Sequence, residues 1–282
     1  MKLLRSSLLL LRFGFPPVLR ASVLVLASLA WPSASWAHEF WLEPLSYKVA
    51  PGAPVTVDLR NGQRFNGISL PYLPKDTARF ELSHEGGKSS YSGRVGDFPA
   101  FQSEGFPSGL LVLVHETTRS RLDYASFDKF RTFAEEKGSP EVVAHHISHS
   151  LPQADFKETY SRHVKTLIAV GSGAGADRVF GLRTEFIAIT NPYTLAKSAP
   201  MRVELHLDGQ PVANRTVTLF AKAPDGTVTS QVLQTDTQGQ MTFPVSPGHV
   251  YLLDSVSFAR AADGDEALWE TYWAALTFAV PD

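Results

Sequence analysis

The stretch Arg202-Val203-Glu204-Leu205-His206-Leu207 alternates polar and apolar side chains without a break, and Asp208-Gly209 follows it directly. A period of two is the pattern of a β-strand with one buried face, and Asp-Gly is a favoured tight-turn pair. Short strands separated by turns at intervals of roughly 8–12 residues are typical of a β-sandwich. Residues 176–282 are therefore predicted to form an Ig-like β-sandwich, with further strands at 212–220, 228–232, 240–243, 250–253 and 274–280.

Residues 38–120 carry the same kind of pattern. Val55–Leu59 and Arg79–Ser83 alternate, while Leu110–Val114 is a continuous apolar run suited to a fully buried strand. Asn61-Gly62 is expected to make the tight turn that ends the first of these strands. This segment is predicted to be an N-terminal β-sandwich domain.

Residues 121–175 differ from both flanking segments. Ser126 is expected to cap a helix from Phe127 to Lys137, which Gly138 ends before a loop. A second helix is predicted from about Ala154 to Val170, followed by a Gly-rich linker to residue 175. Its apolar positions share one helical face: Phe156, Tyr160, Val164, Leu167 and Ile168. The predicted fold class is thus mostly β, with two Ig-like β-sandwich domains and a short helical insertion between them.

Residues 1–37 have the features of a cleaved secretory signal peptide. Four basic residues precede an apolar run from Ala21 to Trp31, and Ser35 and Ala37 place small side chains three and one before a cut. The run is shorter than the roughly 20 residues of a membrane span. The mature chain is expected to begin at His38, to be periplasmic or secreted, and to contain no membrane span.

Composition narrows the classes of function. The leader takes four of the 26 basic residues and none of the 28 acidic ones, which leaves 22 against 28, a net charge of −6. An acidic chain of this kind argues against a nucleic-acid partner. The absence of Cys excludes disulfides and thiolate metal sites, and all nine His lie beyond the leader.

Cleavage after Ala37 would give His38 a free α-amine beside its imidazole, a bidentate nitrogen chelator. An α-amine has a pKa of about 8, so losing its proton to a metal is cheap near neutral pH. Nitrogen-rich sites favour Cu(II) or Ni(II). Glu39, next in the chain, is expected to be a solvated carboxylate.

Five further His are candidate ligands to a metal. His145, His146 and His149 are spaced so that two imidazoles can face the same way, and a surface loop that is merely His-rich is the alternative. His163, on the predicted second helix, and His115, at the end of an apolar strand, are candidates to complete the site. A helix-surface ion pair for His163 and a hydrogen-bonded core position for His115 are the competing interpretations.

Four segments of the chain resemble the DUF4198 family of exported proteins, often described as associated with nickel or cobalt uptake. The resemblance implies an exported, two-part β-rich protein with a transthyretin-like sandwich, and it suggests one divalent metal ion (Ni, Co or Cu) per chain and a membrane metal transporter as partner. The segments are Ala37–Pro44, Glu158–Leu167, Asp208–Val212 with Gln234–Gln240, and Trp269–Phe278.

The preferred hypothesis is therefore a metal-binding accessory protein for uptake or handling, and not an enzyme. No nucleophile elbow, His-Glu-x-x-His helix or phosphate loop occurs in the sequence. Two alternatives stay open. One is a copper-dependent oxidase that resembles polysaccharide monooxygenases, which also use an N-terminal His. The other is a structural or adhesive β-sandwich module without metal.

Overall fold

A computed structural model describes residues 38–196 and 198–282, so the predicted signal peptide lies outside the described residues. The mostly-β prediction is confirmed. Two helices are present, α1 (Phe127–Glu136) and α2 (Pro140–Ser148). The strands are β1 (Glu39–Pro44), β2 (Lys48–Val49), β3 (Val55–Gln63), β4 (Asn66–Leu70), β5 (Thr77–His84), β6 (Gly87–Ser90), β7 (Phe101–Ser103), β8 (Gly109–Thr117), β9 (Ser120–Tyr124), β10 (Phe156–Val170), β11 (Thr184–Ala188), β12 (Met201–Leu207), β13 (Gln210–Pro211), β14 (Thr216–Lys222), β15 (Val228–Gln234), β16 (Gln240–Phe243), β17 (Val250–Arg260) and β18 (Trp269–Ala279).

The strands form three sheets, the largest of which we call the central sheet. Its strand order is β15-β14-β17-β18-β10-β8-β5-β6, with β2 and β9 also paired to β10. The N-terminal sheet has the order β1-β3-β4, with β7 on β3. The C-terminal sheet has the order β11-β12-β13, with β16 on β12.

The central sheet is covered on both faces, as the side chains of β8 show. Leu111 and Leu113 belong to the core shared with the N-terminal sheet. Val112 and Val114 belong to a different core, shared with the C-terminal sheet. Because successive side chains of a strand point to opposite faces, the central sheet is the middle layer of three.

The helices cover one end of the central sheet and bury a third, largely aromatic core. Phe130 and Phe133 of α1 pack there against Trp269 and Trp273 of β18. The Ser126 hydroxyl caps α1 by accepting a hydrogen bond from the Asp128 amide, as the sequence predicts. No helix in the described part of the chain is long and apolar enough to cross a membrane.

The predicted second helix is wrong, because residues 156–170 form β10, the longest strand. Its neighbours are β18, in parallel, and β8 and β9, antiparallel. A central strand buried on both faces shows little alternation between polar and apolar residues. Its chance apolar spacing resembled one face of a helix. The predicted loop after residue 138 is wrong as well, since α2 occupies it.

The predicted turn at Asn61-Gly62 lies instead at Arg64 and Phe65, which both adopt left-handed backbone conformations, with φ of 51° and 59°. β3 continues through Gly62, which pairs with Gly67 of β4. A Cβ on Gly62 would lie 2.1 Å from the Asn66 carbonyl oxygen, so glycine is needed here for the close approach of two strands.

Strands from all three predicted segments meet in the central sheet. β8 comes from residues 38–120, β10 from 121–175, and β18 from 176–282. The predicted boundaries between these segments stay a prediction, but the segments share cores. A buried ionic cluster also joins them, because Lys165 Nζ of β10 lies 3.2 Å from Asp177 Oδ2 and 3.3 Å from Glu185 Oε2.

Candidate functional site

The structure places the two candidate completing ligands on opposite faces of the central sheet. His115 lies on β8 in line with Leu111 and Leu113, on the face covered by the N-terminal sheet. His163 of β10 points to the other face, where its Nδ1 is 3.6 Å from Glu116 Oε1. The two imidazoles therefore cannot serve one metal ion.

His115 is a buried, neutral imidazole with one free nitrogen. Its Nε2 lies 3.0 Å from Thr77 Oγ1, whose hydroxyl in turn donates to the Leu73 carbonyl at 3.1 Å. The Thr77 oxygen thus accepts from His115, which assigns the proton to Nε2 and leaves a lone pair on Nδ1. Within the described residues that buried Nδ1 has no hydrogen-bond partner. Burial lowers the pKa of His115 to about 3, so the ring stays neutral.

His115 lines a cavity of about 260 Å³ between the central sheet and the N-terminal sheet. Phe40 of β1 forms part of its wall, with its ring centroid 5.9 Å from that of His115. Arg162 of β10 lines it too, and its Cζ is 5.3 Å from the Phe40 centroid. The remaining lining residues are Leu59, Leu70, Pro71, Leu73, Asp76, Thr77, Thr117 and Ser120.

Arg162 carries a positive charge that no acidic side chain among the described residues pairs with. In the part of the chain that the structure describes, its guanidinium forms no ion pair, and its buried Nε makes no hydrogen bond. Burial lowers the pKa of Arg162, while Tyr160 and Asp254 act in the opposite sense. Asp254 is itself paired with Lys137 at 2.7 Å. Sequence reasoning missed Arg162, because nothing in a strand sequence shows which Arg will lack a partner.

The N-terminal strand is held at its start by a network that the sequence did not predict. Glu39, expected to be solvated, is only 7% exposed and accepts a hydrogen bond from the Arg64 amide at 2.7 Å. Burial, reinforced by nearby Asp254 and opposed by Lys137, raises the pKa of Glu39 to about 7. These residues lie far apart in the sequence, so the sequence alone does not reveal the network. The network holds in place the strand that follows His38.

His38 itself precedes β1 and is exposed. Phe40 contacts both His115 and Arg162, and only one residue separates it from His38. With a rise of about 3.3 Å per residue, the Cα atoms of residues 38 and 40 lie about 7 Å apart in an extended chain. His38 is therefore close in the chain to the residue that packs against His115.

The three His at the C-terminal end of α2 divide into one core residue and one stacked pair, in which His145 is half-buried and His149 is exposed. His146 is buried, its Nδ1 accepts from Trp269 Nε1 at 3.0 Å, and its Nε2 lies 2.9 Å from the Pro152 carbonyl. With both nitrogens occupied, His146 has no lone pair for a metal. His145 and His149 stack with their centroids 3.8 Å apart at the surface.

His163 is likewise enclosed, with Nε2 3.0 Å from Ser161 Oγ, and burial lowers its pKa to about 4. It lies within a strand, so the predicted helix-surface position is wrong. Among the described residues no three His, Asp or Glu side chains are grouped to hold a metal ion. Of the predicted ligands, His115 lies beside Phe40 of the N-terminal strand, and His38 comes two residues before Phe40 in the chain.

The fold and the cavity define a three-layered β-sheet protein with a small, partly open site beside its N-terminal strand. Residues 35–257 match the family model described as "Domain of unknown function (DUF4198)". Since this match covers more than half of the chain, the chain belongs to the DUF4198 family, as the four segments predict.

No curated protein sequence matches this chain. Among solved structures, it is similar to a tetra-tandem repeat in the extending region of a large adhesion protein (9% identity, TM-score 0.22, 86% of this chain and 49% of that one). The chain thus spans about half of that structure. Others are the D0-D1 domain of Intimin (11%, TM-score 0.18, 86% and 97%) and a DUF3823 family protein from Bacteroides uniformis (9%, TM-score 0.21, 87% and 100%). These TM-scores are too low to support an argument about fold or function.

Proposed function

We propose that this protein is an exported accessory protein that binds a transition metal (nickel, cobalt or copper) at its processed N-terminus for uptake or handling. The observation that carries the proposal is the free Nδ1 of His115, buried in a cavity walled by Phe40. The ligands would be the α-amine and imidazole of His38 together with this Nδ1.

The environment of His115 fits a metal ligand. Ligating imidazoles usually donate their other N–H to an oxygen, which fixes the tautomer and the orientation of the ring. His115 does this toward Thr77 Oγ1 at 3.0 Å. With a pKa of about 3, His115 does not need to lose a proton before it binds a metal at neutral pH.

The donor set favours Cu(II) or Ni(II), because three nitrogens and no thiolate suit these ions. His145 and His149 supply a second imidazole pair near the surface at the end of α2. A pair at the surface is suited to weak capture of metal before its transfer to a tighter site. A membrane metal transporter is the partner expected for such a carrier.

Calorimetry with Ni(II) and with Cu(II) tests the proposal. The protein that begins at His38 is compared with a version that carries one extra Ala before it, which converts the amine into an amide. We expect one tight site in the first and at least about tenfold weaker binding in the second, because a chelating nitrogen is lost. Equal affinities would remove His38 from the site.

A second variant, His115→Gln, tests the other ligand, with His84→Gln as the matched control on a neighbouring strand of the same sheet. We expect weakened metal binding in the first and unchanged binding in the control. Thermal unfolding of both variants separates loss of a ligand from loss of the fold.

The enclosed position of His115 argues against the monooxygenase alternative, which needs a flat exposed face for a polysaccharide. The structural or adhesive module without metal is the second candidate. It is favoured by the placement of His163 on the opposite face from His115, which reduces the number of imidazoles near the N-terminus. Absence of any Ni(II) or Cu(II) binding by the processed protein would support this candidate.

A further inference from the structure

The cavity that contains His115 also contains a charge that this protein leaves unpaired. A guanidinium remains protonated throughout the physiological range, yet within the described residues Arg162 has no ion-pair partner and its buried Nε donates no hydrogen bond. A buried donor without an acceptor is unfavourable unless a ligand or water supplies one. Arg162 as a whole is half-buried, so a small anion can reach the guanidinium from the cavity and supply the missing acceptor.

Arg162 is held in place for such a ligand. Its Cζ lies 5.3 Å from the centroid of Phe40 and 4.9 Å from that of Tyr160, so two aromatic rings lie within cation–π distance of the guanidinium. Its backbone amide donates to Thr117 Oγ1 at 3.0 Å. A fixed guanidinium presents parallel N–H groups that match the two oxygens of a carboxylate.

The cavity itself limits the size and character of the ligand. Its volume of about 260 Å³ admits a small molecule and excludes a macromolecule. Leu59 and Leu70 give it apolar walls, while the hydroxyl of Ser120 adds a hydrogen-bonding group. Asp76 also lines the cavity and disfavours a ligand with several negative charges.

We propose that Arg162 makes this cavity a site for a small organic carboxylate with a short apolar body. Its role in metal binding rests on the proposed function: a metal ion on His115 would share the cavity with the guanidinium, and like charges close together repel. A bound carboxylate would offset that repulsion. The metal would then be carried together with an organic acid.

Calorimetry with butyrate as the probe, and butyramide as its uncharged counterpart, tests carboxylate binding on the protein that begins at His38. We expect butyrate to bind and butyramide to bind much more weakly. Arg162→Gln should weaken butyrate binding by about 10- to 100-fold, the cost of losing hydrogen bonds to a charged group. Arg162→Lys keeps the positive charge but lacks the planar guanidinium. Its butyrate affinity should lie between those of the unaltered protein and of Arg162→Gln.

Arg94→Gln is the matched control, because Arg94 is 93% exposed and pairs with Asp97 at the surface. Its butyrate affinity should equal that of the unaltered protein. Equal binding of butyrate and butyramide, no binding of either, or unchanged butyrate binding by Arg162→Lys and Arg162→Gln would overturn the proposal. Thermal unfolding identifies a variant that has lost its fold.

The two proposals fail separately. The version with one extra Ala before His38 should bind Ni(II) more weakly and bind butyrate unchanged in the absence of metal, because His38 is not among the described residues that line the cavity. Butyrate binding without any metal binding would sink the proposed function while supporting the carboxylate site. If neither butyrate nor the Arg162→Gln substitution changes the affinity for Ni(II), the proposed link between metal binding and carboxylate binding is contradicted.

Discussion

Glu158 is predicted to make the stability of this protein fall as the pH rises from about 4.5 to 7. It is 2% exposed on β10, where Tyr124 donates to Oε2 at 2.8 Å and Thr271 donates to Oε1. Burial raises its pKa to about 7 from 4.5, although these two hydrogen bonds oppose the shift. Between those values the folded protein holds a proton that the unfolded chain has released, so a higher pH favours unfolding.

The size of the effect follows from the two pKa values. A difference between 4.5 and about 7 corresponds to about 3 kcal/mol of unfolding free energy, at 1.36 kcal/mol for each pH unit. The stabilisation by protonated Glu158 is fully present below pH 4.5 and is lost above about pH 7. His115 and His163 act with the opposite sign, because their lowered pKa values cost stability as the pH falls.

Comparison with Glu158→Gln isolates the carboxyl group from these histidines. Urea unfolding of both proteins is measured from about pH 4 to about pH 8. The stability of the unaltered protein relative to the variant should fall by about 3 kcal/mol across that range. Glu104→Gln, at an exposed position, is the control. Its unfolding free energy should change with pH in the same way as that of the unaltered protein. A relative stability that does not change with pH would refute the argument that Glu158 is protonated by burial.

Two further predictions concern stability. Lys165→Met should lower the unfolding free energy by about 3–5 kcal/mol in urea at neutral pH, because Asp177 and Glu185 would remain buried without their cation; a loss below about 1 kcal/mol would show that the cluster is not buried as described. His146→Phe should cost about 1–3 kcal/mol by leaving two buried hydrogen-bond partners unsatisfied, whereas exposed His149→Ala should stay within about 0.5 kcal/mol. Equal losses of unfolding free energy in these two variants would contradict the placement of His146 in the core and of His149 at the surface.

Strands with one solvent-facing side, and β8 with its continuous apolar run, could be predicted from the sequence. β10, a strand covered on both sides that carries polar residues, could not. β12, at residues 201–207, alternates strictly and was predicted almost to the residue. β10 buries Glu158, Ser161, His163 and Lys165 among apolar residues, so its polar positions give no period of two. Such a segment becomes a strand because it pairs with its neighbours in the sheet, and its own sequence does not indicate which strands these are.

The candidate site was predictable only in part, for the same reason. His115 and His38 could be named because imidazoles are scarce and their chemistry is distinctive. The face to which each side chain points depends on the layering of the sheets, and this separates His163 from His115. Arg162 acquires its significance only from the lack of an ion-pair partner, which is a property of the fold.

The central claim is that a metal ion binds where the processed N-terminus meets the cavity. Anomalous diffraction at the copper edge, from crystals of the protein that begins at His38 and has been loaded with one equivalent of Cu(II), tests it directly. The account predicts a single strong peak within bonding distance of the His38 nitrogens and of His115 Nδ1. A peak confined to His145 and His149, or no ordered copper at all, would contradict it.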